Sequence, residues 1–490
     1  MLLGEILVGR GLVTAANIRA ALELQRRNGA RLGEVIVEMK LMTAEQLESV
    51  IASVKYATPP QPNSLADTGI AKGLLLDLML KFMHLRSCES ELEISQALRL
   101  PYQIVRELIV EANHRGLIQA LGARQVSHFI DIPYALNEAG HAAAADAESR
   151  NLYVGPAPVS LAAFQEQIQK QCITNEFLDP ARLRSGLDGL VFPEHYIRKL
   201  LPAINTGRSV LLFGPSGNGK TTVASRIAAL FAQVIYVPYA VEIAGQIMTV
   251  FDKGLHQPAV SEQDMIGLES QEVGADAYDD RWVACHRPFA VAGGELTLEM
   301  LDLQFNREAK FYDAPLHVKA LNGVFLVDDF GRQRFDPKAL LNRWILPMES
   351  RVDYLQLYNG TSFNLPFDEL LIFSTNLEPK DIMDPALLRR IPYKIKLFAP
   401  DKVAYRRVFD GAAKKAGLAL TDHVFEFVVD TLTASGKFGL AYFQPKFICD
   451  QVAQICKSFA IEPQLTKELA AEALANLYVE IESEADTVRA

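Results

Sequence analysis

The chain has 490 residues, of which 49% are hydrophobic, so it is long enough for about three domains with buried cores. Its net charge of −10 at pH 7 argues against nucleic acid as the main partner of the whole surface. The five cysteines form no CxxC pair, and no stretch reaches the roughly 18 uncharged apolar residues of a membrane-spanning helix. These features predict a cytoplasmic protein without a transmembrane segment.

Residues 1–54 contain an internal repeat. The copy LLGEILVGRGLVTAANIRAALELQ is followed, after the spacer RRNGA, by RLGEVIVEMKLMTAEQLESVIASV. Each copy predicts a short apolar helix, a threonine N-cap and a second, amphipathic helix. The segment resembles the MshEN-type N-terminal domain of type II secretion and pilus ATPases, which binds cyclic di-GMP through two such motifs.

That resemblance implies cyclic di-GMP as a ligand of the repeat. The residues that match the binding motif are Leu3, Gly4, Arg31, Leu32 and Gly33. Two positions depart from it, because Leu2 stands where the first motif has its arginine and Val54 where the second has its closing glutamine. A helical docking module that does not bind the ligand is therefore the alternative interpretation.

A Pro-rich linker at 55–67 precedes a segment, 68–150, with a winged-helix-like pattern of helix, turn at Pro101, helix, strand pair and helix. A DNA-binding winged helix needs a basic second helix. The segment instead has eight Lys and Arg against ten Asp and Glu, a net charge of −2. These charges favour a protein-contact or spacer role over DNA binding.

After a connection at 151–174, residues 175–397 alternate short apolar strands with helices, which predicts an α/β domain. Within it, SVLLFGPSGNGKTT places a strand, a glycine-rich loop and a helix in the order of the G-x-x-x-x-G-K-T phosphate loop, or Walker A motif. The predicted ATP-binding residues are Gly214, Pro215, Ser216, Gly217, Asn218, Gly219, Lys220, Thr221 and Thr222. A glycine-rich turn before a helix is the simpler alternative.

The apolar run Val324–Val327 ends in Asp328 and Asp329, the pattern of a Walker B motif. Two carboxylates at the end of a buried strand require a nearby cation. We predict Mg²⁺ of bound Mg-ATP, held by Thr221 and Asp328. Asp329 is predicted to orient or deprotonate the attacking water.

Together these motifs resemble the AAA+ ATPases. LLIFSTN is similar to the sensor-1 strand of that family, with Asn376 as its polar residue, and DPALLRRI is similar to the arginine-finger segment. The resemblance implies Arg390 as the finger, with Arg389 as second choice, and a homo-oligomeric ring, usually a hexamer, in which the finger reaches a neighbour's nucleotide. Asn359-Gly360 predicts a hairpin before sensor 1, as in the MoxR and sigma-54-activator branch.

Residues 398–485 predict a helical lid. Lys446 lies where the family has its sensor-2 arginine, and a solvated lysine at a helix start is the alternative interpretation. The predicted fold class is α/β: a P-loop AAA+ core with a helical lid, preceded by a small helical repeat domain and a winged-helix-like domain.

The predicted function is ATP-driven remodelling or assembly of a protein partner, either a client or a component of a pilus or secretion system. An ATP-gated DNA-binding regulator and a nucleotide-binding scaffold with slow hydrolysis are the alternatives. The scaffold is suggested by Asp329, because most relatives have glutamate there.

Overall fold

A computed structural model of the chain describes residues 7, 12–28, 32–44, 46–47, 58–122, 124–126, 129–188, 190, 192–259, 278–434 and 439–477. The chain divides into two compact units. The first unit comprises Met1–Phe177, Phe231–Phe325 and Ala339–Leu370. The second unit comprises Leu178–Leu230, Leu326–Lys338 and Leu371–Ala490.

The α-helices of the described residues are, in chain order, α1 (Ala15–Asn28), α2 (Leu32–Glu38), α3 (Lys72–Arg86), α4 (Glu91–Leu98), α5 (Tyr102–His114), α6 (Glu138–Arg150), α7 (Leu161–Lys170), α8 (Pro180–Gly186), α9 (Glu194–Asn205), α10 (Lys220–Ala228), α11 (Leu316–Lys319), α12 (Pro337–Ser350), α13 (Pro379–Ile382), α14 (Pro385–Arg390), α15 (Lys402–Lys415), α16 (Asp422–Ala434), α17 (Gln444–Ser458) and α18 (Lys467–Leu477). None of them is both long and apolar enough to cross a membrane. Short 3-10 helices occur at Ala66–Thr68, Ile173–Asn175 and Leu298–Leu301.

The strands of the described residues are β1 (Ile118–Ala120), β2 (Arg124–Val126), β3 (Phe129–Asp131), β4 (Tyr134–Leu136), β5 (Val159–Ser160), β6 (Val210–Phe213), β7 (Val234–Pro238), β8 (Ala240–Ile243), β9 (Gln246–Thr249), β10 (Trp282–His286), β11 (Phe289–Ala292), β12 (Gln304–Asn306), β13 (Phe311–Asp313), β14 (Val324–Val327), β15 (Val352–Gln356), β16 (Ser362–Pro366), β17 (Leu370–Thr375) and β18 (Tyr393–Lys396). The predicted α/β class and the helical C-terminal region are confirmed.

The first unit begins with the repeat, whose helices α1 and α2 pack through buried apolar side chains such as Ile18, Ala21 and Ile36. Further on, α3, α4 and α5 pack around a core that includes Leu75 and Ile104. Helices α4 and α5 flank the predicted turn, and β1 pairs antiparallel with β4. These helices and this strand pair lie in the segment predicted to be winged-helix-like, and both that fold and the boundaries 68–150 stay predictions.

A mixed sheet in the order β12-β13-β9-β8-β5 forms the other main part of the first unit. Its β8–β9 and β12–β13 pairs are antiparallel, and its β13–β9 and β5–β8 pairs are parallel. Strand β5 lies in the segment predicted as a plain connection. The hairpin predicted at Asn359-Gly360 is confirmed, since β15 and β16 pair antiparallel around it and Gly360 has a φ of 89°.

The buried side chain of Arg281 joins both ends of the segment that contains α3 to α6. Its Nη1 donates to the carbonyl oxygens of Thr68 (3.2 Å) and Pro158 (3.0 Å), while its Nη2 donates to Asp279 Oδ2 at 2.7 Å. The backbone N–H of Asp279 donates to Pro59 O at 3.1 Å, so the Pro-rich linker is hydrogen-bonded to a distant part of the sequence within the first unit. The residues that precede α3 and those that follow α6 are therefore hydrogen-bonded to the same guanidinium group.

Glu369 is a fully buried carboxyl group that directly precedes β17. Its exposed fraction is 0%, and neither carboxyl oxygen has a hydrogen-bond partner within the described part of the chain. Burial raises the pKa of Glu369 well above its ordinary value of 4.5, the nearby Asp353 and Asp368 raise it further, and Arg351 opposes them. The folded protein therefore keeps this group protonated above pH 4.5, where the unfolded chain releases the proton.

Because the folded state then holds more protons than the unfolded state, wild-type stability should fall as pH rises above 4.5 towards the raised pKa. We expect the gain in unfolding free energy from Glu369→Gln, relative to wild type, to grow with pH by up to about 1.4 kcal/mol per unit. Urea unfolding of both proteins at pH 5, 6.5 and 8 measures this difference in unfolding free energy. Glu308→Gln, at an exposed glutamate, is the control. A constant difference between Glu369→Gln and wild type would contradict the prediction.

A five-stranded sheet has the strand order β11-β14-β17-β6-β18, and within the second unit β6 pairs in parallel with both β17 and β18. In β6, β14 and β17 nearly every side chain is buried, which explains their continuous apolar sequences. Helices α15 to α18 form a separate cluster around buried residues such as Phe409, Val428 and Val452.

Candidate functional site

The candidate site lies in the second unit, where the chain leaves β6 for α10 through a glycine-rich loop. Gly214 follows the strand with a φ of 135°, and a Cβ atom there would lie 2.2 Å from the carbonyl oxygen of Leu397. Gly217 also has a positive φ, 75°. The strand–loop–helix arrangement predicted from GPSGNGKT is therefore present, and its sharp turn depends on glycine.

Lys220, the first residue of α10, folds back over this loop and is 7% exposed. Its Nζ donates to the carbonyl oxygens of Gly214 (2.9 Å) and Pro215 (3.0 Å) and to Asn376 Oδ1 at 2.5 Å. Burial lowers the pKa of Lys220, and the carboxylates of Asp329 and Asp328 oppose that shift. A buried ammonium group at a glycine-rich loop is well suited to a polyanionic ligand.

Thr221 and Asp328 meet at the same end of the sheet. The Thr221 hydroxyl donates to Asp328 Oδ2 at 2.8 Å. Thr221 is the second residue of α10, the helix after β6, and Asp328 directly follows β14. The sequence separates these oxygens by about a hundred residues, and the fold brings them into direct contact, as a shared Mg²⁺ site requires.

Asp329 and Asn376 also lie close together at this end of the sheet. Asn376 Nδ2 lies 3.4 Å from Asp329 Oδ1, and the same amide accepts from Lys220 through its oxygen. Asp329 is exposed and has a φ of 48°, a left-handed conformation that costs energy for a residue other than glycine. Asn376 thus connects the lysine of the phosphate loop to the second acid of the strand end.

The residues present fit Mg-ATP. Lys220 and the loop N–H groups are positioned for phosphate oxygens, and Thr221 with Asp328 supplies hard oxygen ligands for Mg²⁺. Asn218, in the same loop, is 5% exposed, and neither polar atom of its amide has a hydrogen-bond partner among the residues described. Such a buried polar group in a phosphate loop is consistent with a loop whose hydrogen bonds are completed by a ligand.

The side chain of Gln333 fixes the turn after Asp329 through two hydrogen bonds that the sequence did not indicate. Gln333 Nε2 donates to Asp328 O at 2.9 Å, and its Oε1 accepts from the N–H of Gly331 at 2.9 Å. The N–H of Phe330 donates to Ser374 O at 2.7 Å, next to the end of β17. A single glutamine carries no motif, so only the folded turn reveals that it positions the acids.

The two finger candidates differ in their surroundings. Both lie at the end of α14, which Asp384 caps by accepting from two backbone N–H groups. Arg390 is half-buried and its Nη1 donates to Ala386 O, one turn back in its own helix, at 2.8 Å. Arg389 is exposed. The side chain that faces solvent is therefore that of Arg389.

Lys446 lies in the first turn of α17, and its charged group is paired with Asp450 on the same helix. Its side chain is 79% exposed. The described contacts of Lys446 thus agree with a solvated helix-start lysine. The pair does not include any residue of the phosphate loop.

The cyclic di-GMP residues are only partly described. Leu3, Gly4 and Arg31 lie outside the described residues, while Leu32 and Gly33 begin α2. Binding of cyclic di-GMP by the repeat stays a prediction.

The fold and the site together define an α/β protein with a glycine-rich strand–loop–helix motif, and two acids and a polar amide lie at the same edge of the sheet. A family model described as a domain of unknown function (DUF8689) matches residues 401–476, which correspond to the helical region. No curated protein matches the sequence.

Two solved structures show what the chain is similar to. One is NtrX from Brucella abortus, with 14% identity, 72% of this chain and 70% of that chain covered, and a TM-score of 0.38. The other is a point mutant of RuvB from Thermotoga maritima, with 14% identity, 63% of this chain and 73% of that chain covered, and a TM-score of 0.33.

Proposed function

We propose that the protein is an Mg²⁺-dependent ATPase of the AAA+ type. One observation carries the proposal: Lys220, Thr221, Asp328 and Asn376 converge around the glycine-rich loop at one edge of the sheet. When Mg-ATP is bound, Lys220 would contact the phosphates, and Thr221 and Asp328 would hold Mg²⁺. The positive charge that the metal supplies there would offset the negative charge on the phosphate oxygens.

Asp329 and Asn376 are proposed to position water for hydrolysis. Asp329 is exposed at the strand end and within reach of the Asn376 amide. An Asp carboxylate accepts a proton or a hydrogen bond from water, and the amide fixes the direction in which it points. Asp is one methylene shorter than Glu, which favours slow turnover.

Coupling to a protein partner is the wider proposal. A homo-oligomeric ring would place the exposed Arg389 beside a neighbour's nucleotide, and for that reason we rank it ahead of Arg390 as the finger. The work of such a ring would be remodelling or assembly of a client or of a pilus or secretion component. The acidic balance of residues 68–150 makes DNA the weaker choice of partner.

Lys220→Ala tests the proposal. Removing a charge-assisted contact to phosphate costs about 1.5–3 kcal/mol, so we expect Mg-ATP affinity to fall roughly ten- to a hundredfold. Calorimetry with Mg-ATP and a phosphate-release assay measure binding and turnover, and Lys253→Ala, at an exposed lysine outside the candidate site, is the matched control. Equal affinity in Lys220→Ala and wild type would contradict the proposed site. Binding without turnover in wild type would instead support a nucleotide-binding scaffold.

A further inference from the structure

One residue of the helical region lies directly against the phosphate loop. The backbone N–H of Phe443 donates to the carbonyl oxygen of Gly217 at 3.2 Å. The ring of Phe443 lies so close that a Cβ atom on Gly217 would be 2.3 Å from its Cδ1. Phe443 as a whole is 42% exposed.

The backbone around Phe443 is held in place. Phe443 is the N-cap residue of α17, and its carbonyl accepts from the N–H of Phe447 at 3.1 Å. The fully buried Gln444 closes the preceding turn, since its Oε1 accepts from Ala441 N (2.8 Å) and its Nε2 donates to Gly439 O (2.9 Å). The contact with Gly217 is therefore made by a fixed helix start.

A contact at Gly217 can affect the direction of the N–H groups of the phosphate loop. Its left-handed φ of 75° belongs to the curled backbone whose N–H groups bind phosphate oxygens. A hydrogen bond to its carbonyl and a ring against its Cα restrict rotation of the peptide that follows. Movement of α17 would consequently change the direction of the loop's N–H groups.

We propose that Phe443 is a positioning residue for the phosphate loop, through which nucleotide binding is coupled to the helical region. The inference rests on the proposed function, and it assigns the coupling to an aromatic packing contact rather than to the charge of Lys446. Because the contact is neutral, it is insensitive to screening by salt, unlike a surface ion pair.

A tryptophan at this position reports the coupling directly. The two native tryptophans, Trp282 and Trp344, are 3% and 0% exposed, and wild-type protein titrated in parallel gives the background that they contribute. We expect emission of the full-length Phe443→Trp variant to change on addition of Mg-ADP. Phe459→Trp, at the other end of α17 and 72% exposed in the native residue, is the matched control and should not respond.

Affinity provides the second measurement. We expect Phe443→Ala to weaken Mg-ADP binding about tenfold in calorimetry, the usual size of a coupling between contacting residues. Phe443→Tyr, which keeps the ring, should restore wild-type affinity, and Phe459→Ala should leave it unchanged. Thermal unfolding of each variant without nucleotide separates this effect from a loss of folded protein.

The outcomes divide cleanly. Wild-type affinity in folded Phe443→Ala, or unchanged Phe443→Trp emission at a saturating Mg-ADP concentration, would overturn the inference and leave the proposed function standing. No binding of Mg-ADP or Mg-ATP by the wild-type protein would overturn both. A response at position 443 but not at 459, with weaker binding by Phe443→Ala, supports the inference.

Discussion

Asp329→Asn should bind Mg-ATP with wild-type affinity and hydrolyse it about a hundred- to a thousandfold more slowly, the usual loss when a general base is removed. The substitution is closely matched to the site. Asn has the same size as Asp and also tolerates the left-handed φ of 48° found here. What it loses is the negative charge next to the amide of Asn376.

The measurement is single-turnover phosphate release, together with calorimetric affinity for Mg-ATP. Asp329→Glu is the informative companion, because it keeps the negative charge and lengthens the side chain by one methylene. Turnover by Asp329→Asn at the wild-type rate would show that Asp329 does not position the attacking water. Weaker nucleotide binding in the same variant would instead place Asp329 in the binding site itself.

Arg389→Ala should reduce turnover about a thousandfold if its guanidinium stabilises the transition state on a neighbouring subunit. The exposure of Arg389 at the end of α14 is the reason for this choice. Arg390→Ala is the control, because the Arg390 guanidinium donates to Ala386 O of its own helix. We expect a smaller loss in that variant.

Mixing the Arg389→Ala protein with Lys220→Ala protein tests whether the arginine acts between subunits. Each shared interface can then combine an intact phosphate loop with an intact finger, so part of the activity should return. Steady-state turnover over a range of mixing ratios measures the recovery. If mixing restores nothing, or if dilute monomer is fully active, action between subunits is excluded.

The strands around the site could be predicted because their signals are local. Uninterrupted apolar runs predicted β6, β14 and β17, and the residues that follow each run include the candidate site residues Gly214, Asp328 and Asn376. Parallel strands place their carboxyl ends at one edge, so the meeting of Thr221 with Asp328 was also within reach of sequence reasoning.

The rest depends on contacts between residues far apart in the chain. Strand β5 is two residues long and acquires its role only by pairing with β8. Phe443 belongs to no motif. Its proposed role depends on its contact with Gly217, which lies far from it in the sequence. Our proposed preference for Arg389 over Arg390 as the finger likewise rests on a contact, since Arg390 turns back to its own helix.

The bonds of Arg281 have a consequence for the evolution of this chain. Thr68 and Pro158 both lie within 3.2 Å of one nitrogen atom, so the chain enters and leaves the intervening segment at a single point. A segment with adjacent ends can be lengthened, exchanged or lost without forcing the remaining chain to span a gap. The region between Thr68 and Pro158 thus has the close ends of an insertable domain. Its replacement during evolution could change what the protein contacts while the phosphate loop is kept.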